Sequence, residues 1–281
     1  MASSPPDGAV TLHEPCTAAM ARRVAAMLDL DPAGLRDGVP LPRGWHFPLL
    51  GAQTARRELR EDGFPGLGVP MPDLGLPRLL LAGRDVTYHD DLPIGAMIKR
   101  VSAVRNLTRK DDERGVRAVV TIGHTLSVAG HDGPAVTETQ TYMLLPAGGR
   151  FSEGNRIART VAADRTTIFI PDATLLFQYS ALGFNSHRIH IDRDFATGVE
   201  GFPDLVVNGG LTTLLLTEFA RAGLGMTIRS LRMKNTAPLF AGRPMTLAAT
   251  LGTEETRLRA YDDMGTLGAD AEVEIACPSC H

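Results

Sequence analysis

The chain has 281 residues with 29 Lys+Arg against 32 Asp+Glu, a formal charge of −3, so it has no global basic field to hold nucleic acid by its phosphates. Hydrophobic residues at 43% and charged residues at 22% exclude a disordered or low-complexity chain, and aromatics at 5% with a single tryptophan, Trp45, leave few stacking platforms for single strands. Small-molecule chemistry or protein contacts remain, in one large domain or two packed halves. Of the three cysteines, Cys16, Cys277 and Cys280, two stand in the last residues and cannot staple a core, which points to a reducing compartment. Cys277-Pro-Ser-Cys280-His281 has the spacing of half a zinc site but no second pair to complete it. The first residues lack the basic and apolar regions of a secretory signal, and no run is long enough to span a membrane, so a cytoplasmic protein without a membrane partner is expected.

In chain order, residues 17–30 carry Met20, Val24, Met27 and Leu28 at helical spacing and predict an amphipathic helix. From 31 to 77 eight prolines recur between Pro32 and Pro77, which predicts an irregular wrapping segment or one interrupted by a short helix around 52–61. Residues 84–89, 96–107, 116–128 and 135–145 are rich in Val, Thr and Ile and punctuated by turns, the pattern of an antiparallel meander. A linker at 146–150 opens a second half, with a strand over 160–170, a helix over 173–181 capped by Asp172, and a buried helix over 205–221. Strands at 226–234, 244–251, 254–260 and 268–275 close the chain. The turn Asp91-Leu-Pro-Ile-Gly95 is echoed by Ala237-Pro-Leu-Phe-Ala-Gly242, each between two strands, so the halves 1–147 and 148–281 are expected to repeat one architecture.

The densest polar cluster, Tyr179-Ser-Ala-Leu-Gly-Phe-Asn-Ser-His-Arg-Ile-His-Ile-Asp192, directly follows a predicted helix. His187, His190 and Asp192 form a His-x-x-His-x-Asp set, but Ile189 and Ile191 suggest an extended segment rather than a metal-binding helix, and no metal is expected. In an extended segment Arg188, His190 and Asp192 share one side, so Asp192 could partner Arg188. The first half shows no equivalent polar cluster, since His89, Asp90 and Asp91 read as exposed turn residues.

The text Phe184-Asn-Ser-His-Arg-Ile-His190 resembles the hydratase motif of the MaoC-like hot-dog superfamily, and more closely its divergent branch of mesaconyl-C4-CoA hydratases and type 2 hydroxyacyl-thioester dehydratases. Phe202-Pro-Asp-Leu-Val-Val-Asn-Gly-Gly-Leu211 and Trp45-His46-Phe47 extend the likeness. The resemblance implies an α+β double hot-dog, two curved antiparallel sheets each wrapped around a central helix, with catalysis confined to the second half. It implies reversible hydration of an enoyl-CoA thioester, an acyl-CoA partner, no further cofactor, and a homo-oligomer. Aligned with the superfamily motif, His190 falls on the catalytic histidine, Asn185 on the catalytic aspartate, and His187 and Arg188 on an asparagine and a proline. Asn208 and Gly210 depart from the branch's usual His and Pro.

Adding water to an alkene needs a base near neutral pKa, which fits His190, and a carboxamide such as Asn185 can orient the water but cannot act as a carboxylate base. Gly209 and Gly210 at a helix start suit an oxyanion site for the thioester, although Asn208-Gly209-Gly210 also reads as a helix cap. Arg188, His187 and Asn208 are the candidate substrate contacts, with Arg188 suggesting a second carboxylate on the acyl group. A hot-dog thioesterase and a non-catalytic acyl-thioester sensor are the alternatives.

Overall fold

The computed structural model describes residues 8–113, 115–147, 151, 157–252 and 255–276, so the start of the chain and the Cys277/Cys280 tail lie outside the described residues. The described residues divide into two compact units, one drawn from Met1–Arg60, Pro65–Ala147 and Leu182–Phe184, the other from Glu61–Phe64, Gly148–Ala181 and Asn185–His281.

In the first unit, strands β1 (Val10–Pro15), β2 (Arg78–Tyr88), β3 (Met97–Asp112), β4 (Gly115–Val128) and β5 (Val136–Leu145) form antiparallel pairs in the order β1-β3-β4-β5-β2. Bulges between Leu81 and Gly83 and between Val104 and Asn106 interrupt the register of β2 and β3 and bend those strands. Helix α1 (Ala18–Met27) starts where Thr17 Oγ1 accepts the Met20 amide at 3.1 Å, and its buried stripe is Ala21, Val24, Ala25 and Met27. The proline-rich segment holds only two short 3-10 turns, Phe47–Leu50 and Arg56–Glu58, so of the two alternatives it is the irregular wrapping segment and not one interrupted by a helix over 52–61. Ala55 and Leu59 are both extended and confine the second turn to three residues. Arg100 fixes this segment by donating to the carbonyls of Leu49 (2.8 Å) and Gly51 (3.0 Å), so its buried guanidinium replaces a regular ladder.

The first unit also corrects the expectation of a half without polar clustering. His46, Arg84, His124, Glu138 and Gln140 are all buried. Glu138 accepts from His46 Nε2 at 2.7 Å and lies 3.1 Å from Arg84 Nε, while His124 Nδ1 meets Ser102 Oγ at 2.8 Å. Burial pushes the Glu138 carboxyl upward, but Arg84 and His46 outweigh it and hold the group down at about 2. Arg84, His124 and the Glu138/Gln140 pair come from β2, β4 and β5 and His46 from the turn before Phe47–Leu50, so no single stretch of sequence shows them as a cluster.

In the second unit, β6 (Arg165–Phe169), β7 (Ile228–Asn235), β8 (Met245–Leu251), β9 (Thr256–Tyr261) and β10 (Leu267–Ile275) pair antiparallel in the order β7-β10-β9-β8-β6. Helix α2 (Ala173–Leu182) is capped by Asp172, whose Oδ1 accepts the Leu175 amide at 2.7 Å. Helix α3 (Gly209–Glu218) is buried from Gly210 onward and packs on β7 and β9, as a helix apolar all round must. It is shorter than the expected 205–221, because Leu205–Val207 is extended and Phe219–Gly223 widens into a π turn. Among the described residues no helix is long and apolar enough to cross a membrane.

Candidate active site

The site is built where the chain leaves α2. Phe184 takes a left-handed φ of 48° and turns the chain, after which the Asn185 amide bonds back to the Ser180 carbonyl at 2.8 Å. Asn185 Oδ1 then accepts the His187 amide at 3.1 Å, closing a local turn. Residues Arg188–His190 form one 3-10 turn, not the extended strand predicted over 187–192. Its outcome is that Ile189 enters a core with Phe195, Phe202, Val206 and Phe240, while Ile191 is left exposed.

Two bonds tie this turn to the approach of α3. The Val206 amide donates to the Ile189 carbonyl at 2.9 Å, and His190 Nδ1 donates to the Val206 carbonyl at 2.7 Å. A ring whose Nδ1–H is committed to a carbonyl carries its lone pair on Nε2 when neutral. Burial first, and then the neighbouring His187, push the His190 pKa down to about 3 against the pull of the Val206 carbonyl, so the ring is neutral at pH 7 but its pKa lies well below the near-neutral range expected of it as a base.

On the other side, Leu205–Val207 is clamped by bonds from Ala241 N–H to Leu205 C=O (2.9 Å) and from Val207 N–H to Leu239 C=O (2.8 Å). The helix start therefore follows His190's anchor within three residues, a reach of roughly 10 Å. Asn208 is the N-cap residue, but its side chain makes no capping bond; Nδ2 donates to Ser180 Oγ at 3.3 Å instead. The first bond of α3 is Thr212 N–H to the Asn208 carbonyl, so the amides of Gly209 and Gly210 precede the helical ladder without a side-chain cap. Asn208 Oδ1 is buried and accepts no hydrogen bond among the described residues.

Arg188 is engaged by the internal partner. Its Nε and Nη2 donate to Asp192 Oδ2 at 3.0 and 2.8 Å, and its guanidinium carbon lies 4.2 Å from the Phe195 ring centre. Asp192 also accepts the Phe195 amide at 3.0 Å, and that bond, followed by the one from Arg188, holds its carboxyl below the usual range. His187 is buried, with Nε2 3.5 Å from Asp62 Oδ2 and its ring edge-on to His190 at 5.4 Å. The three members of the His-x-x-His-x-Asp set thus turn to separate partners: Asp62, the Val206 carbonyl and Arg188.

The profile of the hydroxyacyl-thioester dehydratase type 2 family matches residues 44–241, more than two thirds of the chain. The chain belongs to this family. It is 33% identical to the mesaconyl-C(4)-CoA hydratase of Chloroflexus aurantiacus over 260 residues, which is 91% of this chain and 92% of that one. It is 31% identical over 81 residues to the mitochondrial type 2 hydroxyacyl-thioester dehydratase of Schizosaccharomyces pombe, 28% of this chain and 27% of that one. A Mycobacterium tuberculosis protein described as a double hot-dog fold superposes with a TM-score of 0.61 at 12% identity, covering 96% of each chain. The fold is accordingly the double hot-dog, and this family member is a hydro-lyase.

Two residues that the structure brings to this candidate site carry no signal of it in the sequence. Ser180 binds Asn185 through its carbonyl and Asn208 through its hydroxyl. It lies on α2, eight residues after its capping aspartate, where a serine reads as an ordinary helix residue. Asp62 stands more than one hundred residues from the motif in the proline-rich segment. Its one sequence cue is the Asp62-Gly63 pair, which marks a turn anywhere.

Proposed function

We propose that this chain reversibly adds water to the double bond of an enoyl-CoA thioester, with a short dicarboxylic acyl group such as that of mesaconyl-C4-CoA as substrate. The observation that carries the reading is His190: a buried, neutral imidazole whose Nδ1–H is spent on the Val206 carbonyl, leaving Nε2 as a base beside an uncapped helix start. The full-length likeness to a mesaconyl-C(4)-CoA hydratase supports the acyl group.

In the hydration direction, His190 Nε2 takes a proton from water as the oxygen attacks Cβ. The buried Asn208 Oδ1 offers an acceptor that can hold the water's second hydrogen, a role better suited to it than to Asn185, whose Oδ1 serves the His187 amide. Negative charge moves to the thioester oxygen, where the amides of Gly209 and Gly210 and the helix dipole receive it. No redox cofactor enters, because the alkene gains H and OH without net oxidation. Arg188 orders the loop through Asp192 and Phe195 in this scheme.

Side-by-side assays of mesaconyl-C4-CoA, crotonyl-CoA and a saturated acyl-CoA test the proposal. Loss of enoyl absorbance with both unsaturated thioesters, faster for mesaconyl-C4-CoA, is expected. Release of free CoA from the saturated thioester without any hydration would replace the reading by a thioesterase, and binding without turnover by a sensor.

A further inference from the structure

Residues Asp62–Phe64 are fastened to the loop that carries the motif. The Arg188 amide donates to the Asp62 carbonyl at 2.8 Å, and Ser186 Oγ donates to the Gly63 carbonyl at 2.6 Å. Gly63 has a φ of 76°, and a Cβ there would collide with the Ser186 carbonyl oxygen and stand 3.2 Å from Arg188 Cγ, so glycine alone permits this approach. Asp62 Oδ1 accepts the Phe64 amide at 3.0 Å, which turns Oδ2 toward His187 Nε2 at 3.5 Å. The Asp62 side chain is mostly covered (13% exposed) and that of His187 is buried (8%), and the Phe64 ring closes on His187 at 5.5 Å.

We propose that Asp62 is a positioning residue of the hydro-lyase reaction: it holds His187 as an oriented imidazolium, so that His187 supplies the proton to Cα while His190 removes the proton of water. The inference rests on the hydratase reading above. Its chemical basis is that hydration needs an acid and a base, and the carboxamide of Asn185 is neither. The two histidine rings lie edge-on 5.4 Å apart, close enough that a charge on one disfavours a charge on the other. The Asp62 carboxylate stands beside His187 and the Val206 carbonyl beside His190, and this asymmetry decides which ring is charged. Among the described residues, the titratable or charged groups around His187 include Asp62 from its segment, the neutral His190 from the 3-10 turn, and Arg188, whose guanidinium is turned to Asp192 and Phe195.

The protons balance. Water gives one to His190 Nε2 as its oxygen bonds to Cβ, and the π pair moves through Cα to the thioester oxygen. The enolate collapses as Cα takes the proton from the His187 imidazolium, leaving the hydroxyacyl thioester, a neutral His187 and a protonated His190. Return of one proton from His190 to His187 restores the pair.

The test uses the full chain with Asp62→Asn and Asp62→Glu, crotonyl-CoA and mesaconyl-C4-CoA as probes, and kcat and KM across pH. Asp62→Asn keeps the acceptor for the Phe64 amide, so its fold is expected to persist. Removing the opposite charge lowers the His187 pKa, so the alkaline limb of kcat should move to lower pH by about 1 to 3 units. At neutral pH kcat should fall about 10- to 100-fold with KM nearly unchanged, less than loss of the acid itself. Asp62→Glu should return the limb toward its wild-type position. An unmoved limb in a folded Asp62→Asn, or a loss confined to KM, overturns the proposal and leaves Asp62 a loop fastener. If the wild-type chain hydrates neither thioester, the hydratase reading falls by itself. Imidazole nitrogen shifts of His187 in wild type and Asp62→Asn still decide whether Asp62 keeps that ring charged, and identical titrations refute it.

Discussion

Replacing His190 tests the base directly, but the structure changes which replacement is informative. Alanine removes both Nε2 and the Nδ1–H that satisfies the buried Val206 carbonyl, and an unsatisfied buried carbonyl costs about 1 to 3 kcal/mol before any cavity is counted. A site loop histidine therefore supports the approach to α3 as well as catalysis, and His190→Ala confounds the two. His190→Asn separates them, because an asparagine Nδ2 can stand near the position of Nδ1 and keep the bond to Val206 while offering no base. General-base loss is typically on the order of 10²- to 10⁴-fold, equivalent to about 2.7 to 5.4 kcal/mol in transition-state stabilisation. The expected result in a continuous assay of enoyl-thioester absorbance is a kcat/KM lower by that factor, with a urea midpoint close to wild type. His190→Ala should show the same catalytic defect and an earlier midpoint. A folded His190→Asn that retains activity within tenfold of wild type would refute His190 as the base.

Gly209→Val should lower kcat by about 10²- to 10³-fold by keeping the thioester oxygen away from the helix-start amides, measured on protein of unchanged Tm; a loss explained wholly by unfolding would return Asn208–Gly210 to a structural role. Arg188→Gln should reduce turnover of mesaconyl-C4-CoA and crotonyl-CoA equally, since its Nε and Nη2 already bind Asp192; a selective loss beyond tenfold on the dicarboxylate would make the guanidinium a substrate contact. Burial lowers the pKa of His190 to about 3 and of His124 to about 4, so between pH 6.5 and about 4 only the unfolded chain protonates them. Their stabilisation is complete above pH 6.5 and is lost with acid at about 2.7 kcal/mol per pH unit for the two together, visible as a lower urea midpoint at pH 5 than at pH 7. An unchanged midpoint would mean that these histidines are not held neutral by the fold.

The strands were legible because antiparallel sheets with one buried face write their alternation into Val, Ile and Thr spacing, and Gly or Asp turns punctuate it. β1 was not, since six residues mixing His13, Glu14 and Pro15 with two or three apolar side chains carry too little alternation to stand out. The buried helix was placed but overextended, because the apolar run continues through Leu205–Val207, where partners on Ile189 and Leu239–Ala241 hold the backbone extended. The motif loop departs from its sequence pattern for a similar reason. Ile189 and Ile191 alternate with polar residues as in a strand, yet an extended chain would bury both or neither, and the 3-10 turn buries only Ile189. In each case a tertiary hydrogen bond overrode the local pattern.

The polar residues divide along the same line. In the first unit, Glu138, Arg84, His46, His124 and Ser102 were invisible as a group because register, not sequence distance, brings β2, β4 and β5 together: His124 faces Glu138, and Gln140 faces Arg84. Among the described residues His46 Nδ1 has no hydrogen-bond partner and Arg84 Nε meets Glu138 as an ion pair only, but the cluster otherwise spends its hydrogen bonds and charges on itself, which is how a buried network specifies a core. The second unit shows the opposite balance within one short loop and one helix start. Asn208 Oδ1 is buried without a donor, two helix amides stand ahead of the ladder, and a neutral histidine turns its basic nitrogen away from its only backbone partner. Leaving such groups unsatisfied in a folded protein is unfavourable by a few kcal/mol in all. In the proposed reaction a water and a thioester oxygen would satisfy them, so that the free energy withheld during folding becomes available for binding the transition state. On the proposed reading, that contrast, more than the presence of histidines or charges, is the reason to look for the chemistry in the second unit.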